Sequence, residues 1–108
     1  MAQMRPEITG AVERYKQQLG AMGIRVEGVF LFGSQVRGDA REGSDIDLIV
    51  VSRDFDGKSV RERAEILGVA AARILEPIQA MGVTPEEVAA NPRAAFLDEI
   101  LTREAVPL

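Results

Sequence analysis

The chain contains no cysteine and no histidine. These absences exclude disulfides, thiol chemistry, an imidazole base and the ordinary zinc sites built on those ligands. A long basic block is also missing, since 13 lysines and arginines stand against 17 acids and leave a net charge of −4. Proteins that grip a nucleic-acid backbone carry a basic stripe, so a polynucleotide partner is disfavoured. Arg61, Arg63 and Arg73 are scattered among acids and read as a solvated helix face and strand flank. No apolar run approaches the length of a membrane span, and Glu7, Glu13, Arg14 and Lys16 interrupt any signal-peptide core in residues 1–20. The expectation is a cytoplasmic protein without membrane association.

What is present suffices for a modest core. With 108 residues and 46% apolar content, one domain over residues 1–108 is expected. That length leaves little room for a separate acceptor-binding lobe, so substrate selection calls for a partner. A homo-oligomer and a mixed complex both fit a domain of this size. No repeat, long linker or low-complexity segment divides the chain.

Periodicity orders the elements. Pro6 and Glu7 precede a helical stripe of Ile8, Val12, Tyr15 and Leu19, with an exit at Gly20 to Gly23. Tyr15 lies on the apolar stripe and reads as core. Residues 26–32 are rich in β-branched and aromatic side chains and stop at Gly33-Ser34, the pattern of a buried strand entering a tight turn. A second strand is predicted over 45–52, then a polar turn over 53–58 in which Asp54 and Asp56 read as solvent-facing. Ser59 and Glu62 form a capping box for a helix carrying Ile66, Val69 and Ala70, followed by a strand over 73–79. Thr84-Pro85-x-Glu87 caps a further helix, and Asn91-Pro92 opens another through Arg103 with Phe96, Leu97 and Ile100 inward. Residues 105–108 read as either a docking tail or an end folded onto the core. The fold class is α+β: a small mixed β-sheet flanked by helices.

The chemistry concentrates in residues 33–50. Side chains alternate along a strand, so Asp45 and Asp47 share one side while Ile46, Leu48 and Val50 point to the other. Two carboxylates held together repel, and a divalent cation offsets that repulsion; Mg²⁺ is the hard ion that carboxylates and phosphates bind together. Gly33 lets the backbone approach a ligand closely. If a short helix opens at 35–38, its free N–H groups and the Ser34 hydroxyl make an anion site to which Arg37 adds a bidentate contact with phosphate. Taken singly, Asp-x-Asp and Gly-Ser are common in surface turns. The Arg-Gly-Asp string at 37–39 also recurs by chance.

In combination, Gly33-Ser34-x-x-Arg37-Gly38 followed by Gly43-Ser44-Asp45-x-Asp47 resembles the active-site motif of the DNA-polymerase-β-like nucleotidyltransferase superfamily. The short length resembles its minimal nucleotidyltransferase branch. The resemblance implies that Gly33, Ser34, Arg37 and Ser44 bind nucleotide and that Asp45 and Asp47 hold Mg²⁺. A third acid on a later strand would complete the catalytic set. The matching stretch offers Glu76, which reads either as that catalytic and metal-binding acid or as an exposed residue before Pro77. The implied activity is Mg²⁺-dependent transfer of AMP from ATP to a protein hydroxyl, as in toxin-neutralising antitoxins that pair with a small helical partner of the HEPN class. The alternative is a noncatalytic module that blocks such a partner by binding alone.

Overall fold

The computed structural model describes residues 5–38, 40 and 45–108. Helix α1 (Pro6–Ala21) starts with proline at its first position, where a missing N–H costs nothing, and buries Ile8, Ala11, Val12, Tyr15 and Leu19. Strand β1 (Gly28–Phe32) leads through Gly33 into the one-turn helix α2 (Ser34–Arg37), and β2 (Ile46–Val51) returns antiparallel to β1. A short 3₁₀ turn (Arg53–Phe55) and the Ser59–Glu62 capping box then start α3 (Val60–Ile74). Next come β3 (Ile78–Val83), α4 (Pro85–Ala89), α5 (Ala95–Arg103) and the two-residue β4 (Val106–Pro107). Strand order is β3-β2-β1-β4, with β2 and β3 parallel and the other pairs antiparallel, so the sheet is mixed.

Alternation along β2 divides the core. Ile46, Leu48 and Val50 join Val29, Leu31 and the buried residues of α1 and α3 on one face. Ile49 and Val51 join Val83 and Leu97 on the other, with Phe30, Phe32, Ile100 and Leu101 packed against them. Tyr15 anchors the first face: its hydroxyl donates to the Leu67 carbonyl at 2.9 Å, and burial pushes its pKa well above the ordinary phenol range. Phe55 is fully buried, and a Cβ on Gly82 would come within 2.8 Å of its ring.

Several expectations shift in detail. The strand expected over 73–79 starts at Ile78, because α3 runs through Ile74 and Leu75 ends it in the left-handed conformation at φ 56°. On α3 the buried residues are Leu67, Ala70 and Ala71, while Val69 faces outward. On α5, Leu97 is the buried anchor and Phe96 is exposed. Arg63 is not a solvated charge: its guanidinium donates to the Lys58 and Gly82 carbonyls and to Glu87, and lies over the Phe55 ring. Asp54 accepts the Arg25 N–H at 2.8 Å, so it ties a loop rather than only facing solvent. Among the described residues, no helix is long and apolar enough to cross a membrane.

Candidate functional site

The site forms where β1 ends beside the start of β2. Phe32 pairs with Asp47, which places Gly33 directly beside the Asp47 side chain. A Cβ built on Gly33 would fall on Asp47 Oδ2 and within 3.0 Å of its Cγ. Gly33 also holds φ 78°, a conformation that side chains rarely adopt, so glycine is required here twice over. The turn therefore brings backbone and carboxylate together with no side chain between them.

Helix α2 opens at Ser34, one residue earlier than expected. Val36 and Arg37 donate their N–H groups to the Gly33 carbonyl and Gly38 donates to Ser34, so these three are engaged within the turn. In a helix starting there, the N–H groups of residues 34 and 35 have no intrahelical acceptor. The Gly33 N–H donates to Glu104 Oε1 at 2.9 Å, and Glu104 Oε2 lies 3.4 Å from Arg37 Nη1. Glu104 follows α5 and reaches the turn because β4 adds to the edge of β1. No local pattern marks this residue; only the long-range pairing of β4 brings it here.

Electrostatics show which charges share the site. Burial pushes the Asp47 carboxyl above the usual carboxylate range, the Asp45 charge pushes it further, the Arg37 guanidinium pulls it down, and Glu104 raises it again. Asp45 is exposed immediately before β2, whereas Asp47 is half-buried. A carboxylate destabilised by burial and a like charge is one that a cation would relieve, and carboxylate oxygens are the donor type that Mg²⁺ takes. Two carboxylates suit an ion that takes its remaining ligands from phosphates and water.

The structure thus brings Gly33, Arg37, Asp45 and Asp47 into one neighbourhood, with Ser34 at the first position of α2. Ser44 lies outside the described residues. Glu76 does not join the pair. It falls in the connection after α3, and its carboxylate accepts from Arg14 at 2.6 Å. Among the described residues, no three acidic side chains are grouped to hold a metal ion. The residue of β3 in register with Asp47 is Gln79, an exposed amide, which periodicity missed because the strand starts later than predicted. A separate apolar cavity of about 360 Å³, lined by Leu67, Met81, Val83, Phe96 and Leu97 among others, includes none of the expected site residues.

Comparison with known proteins agrees with the architecture. A candidate nucleotidyltransferase from Sulfolobus solfataricus superposes with a TM-score of 0.57 at 19% identity, covering 99% of this chain and 89% of that one. A toxin–antitoxin complex crystallised with AMP-PNP contains a chain that superposes with a TM-score of 0.58 at 20% identity, covering 88% of this chain and 70% of that one. Both likenesses are of fold. No curated protein sequence matches the chain significantly. Residues 12–101 match the nucleotidyltransferase domain, and with most of its length inside that match the chain belongs to the nucleotidyltransferase-domain family.

Proposed function

We propose that this protein transfers a nucleotidyl group from a nucleoside triphosphate to a hydroxyl, with ATP as donor and a protein side chain as acceptor. The observation that carries the reading is that the Asp47 carboxylate fills the space a Cβ on Gly33 would take, with Arg37 and Asp45 within electrostatic reach. Phosphate-binding groups and metal-binding groups would have to meet in this way for one triphosphate to use both.

In this reading the N–H groups opening α2, the Ser34 hydroxyl and Arg37 hold the phosphates, while Asp45 and Asp47 hold Mg²⁺. Ser44 would extend the phosphate contacts. Bound there, Mg²⁺ would offset charge on the triphosphate and on the departing pyrophosphate. The acceptor oxygen bonds to the α-phosphorus, the bond from that phosphorus to the bridging oxygen breaks, and pyrophosphate leaves. The hydroxyl proton passes to water or to a neighbouring carboxylate. Arg37 and the turn's donors stabilise the charge that accumulates on the leaving group. Glu76, held by Arg14, acts as a structural partner of α1.

The biological setting we infer is a cytoplasmic toxin–antitoxin pair in which this chain modifies a small helical partner of the HEPN class. The fold likeness to a toxin–antitoxin complex crystallised with AMP-PNP supports that setting. A second reading has its own observation. With Gln79 beside Asp47 and Glu76 engaged elsewhere, no third acid groups with Asp45 and Asp47 to hold a metal ion among the described residues, which suits a noncatalytic module that restrains its partner by binding.

Transfer from α-labelled ATP, in the presence of Mg²⁺ and the partner copurified from the native host, separates the two. Label on the partner with the wild type, reduced at least about a hundredfold in Asp47→Asn (D47N), is the expected result. Equal labelling by D47N would reject the assignment. Partner inhibition without any labelling would select the binding module.

A further inference from the structure

We propose that Glu104 is a built-in competitor for the phosphate-binding turn, and that a triphosphate binds as the segment after α5 gives up its contacts with Gly33 and Arg37. This rests on the reading that Gly33, Ser34 and Arg37 receive phosphate. Its own observation is independent of any bound nucleotide. One carboxylate oxygen of Glu104 takes the Gly33 N–H at 2.9 Å, and the other faces the Arg37 guanidinium at 3.4 Å. A backbone N–H beside a guanidinium is the donor pair that phosphate oxygens use, and a carboxylate, a smaller planar anion, can place its two oxygens on the same two donors.

Glu104 adds a third negative charge to the field of Asp45 and Asp47. A turn already holding a carboxylate cannot offer the same N–H and the same face of Arg37 to a phosphate.

The anchoring of Glu104 is small enough to release. β4 has two residues, its pairing with β1 is limited to Phe30 with Pro107 and Leu31 with Val106, and the Leu108 N–H adds one bond to the Val29 carbonyl at 2.9 Å. Val106 and Leu108 remain 40% and 45% exposed, so little apolar surface holds the segment down. Leu97, at 3% exposure, fixes α5 to the sheet seven positions earlier, and the Glu104 and Ala105 N–H groups donate to the Ile100 carbonyl at 3.2 and 3.0 Å, so α5 can stay docked while the Glu104 side chain and residues 106–108 move. A segment with few buried contacts and exposed backbone bonds opens at low free energy.

Competition makes the apparent affinity equal to the intrinsic one multiplied by the released fraction. Calorimetric titration of the 108-residue chain with ATP plus Mg²⁺, and separately with tripolyphosphate plus Mg²⁺, compares wild type, Glu104→Gln and Glu104→Ala. Glu104→Ala is expected to bind both probes about tenfold more tightly, corresponding to a released fraction of about a tenth. Glu104→Gln keeps an oxygen for the Gly33 N–H but loses the charge facing Arg37, so it should fall between. Affinity equal to or below wild type in these variants overturns the proposal and leaves the nucleotide reading standing. Absence of binding in wild type and variants alike overturns both. A second readout needs no variant: saturating ATP plus Mg²⁺ should speed hydrogen exchange at the Leu108 amide of the wild type, and unchanged exchange there overturns the competitor role even if a variant fails to fold.

Discussion

Asp47 and Gly33 depend on each other, and their variants should behave oppositely. Gly33→Ala places a methyl group onto the carboxylate and asks alanine to hold φ 78°. It should destabilise the fold by about 1–3 kcal/mol in denaturant unfolding and weaken ATP binding at least about tenfold. D47N removes a carboxyl whose proton affinity is raised by burial and by Asp45. A raised carboxyl means the folded state binds its proton more tightly, so wild-type stability falls as pH rises from the unfolded-state carboxyl range through the folded pKa. Without Mg²⁺ at neutral pH, D47N should therefore melt at or above the wild-type temperature, and that advantage should vanish as the pH is lowered through the Asp47 pKa. A D47N protein that melts well below the wild type at neutral pH would show that the carboxylate stabilises the fold.

Helix ends decide how much of the architecture can be read from local pattern. The stripe of Ile8, Val12, Tyr15 and Leu19 and the capping residues Ser59 with Glu62 and Thr84 with Glu87 were legible because propensity and capping act within four residues, and each matches the observed helix. Ser59→Ala and Thr84→Ala should each cost about 1 kcal/mol in unfolding experiments. The end of α3 was illegible for a related reason. Leu75 occupies a left-handed cap that glycine normally fills, so no glycine marks the boundary and local pattern places the strand several residues early. That displaced Glu76 from a strand to a connection and hid the register of Gln79 with Asp47. Leu75 is 89% exposed and contributes little packing. Leu75→Gly should therefore raise stability by about 0.5–1 kcal/mol, seen as a melting temperature higher by several degrees.

Across the molecule, what local pattern missed is what distant segments bring together. The motif within residues 33–50 was legible because the glycine turn and the carboxylates lie on consecutive strands that pair directly. Glu104 was not, because a contact spanning 71 positions depends on β4 finding the edge of β1. The resulting sheet places the Gly33 turn, Asp45, Asp47 and Glu104 in one neighbourhood, in a chain of the nucleotidyltransferase-domain family. The most direct test of that arrangement is calorimetric titration of the wild type and D47N with ATP, with and without Mg²⁺. Binding by the wild type should strengthen at least about tenfold with Mg²⁺, since an ion held by Asp45 and Asp47 would also take phosphate oxygens as ligands, and D47N should lose that gain. Binding that is indifferent to Mg²⁺, or equally Mg²⁺-dependent in D47N, would contradict a site in which Asp47 and the Gly33 turn act on one triphosphate.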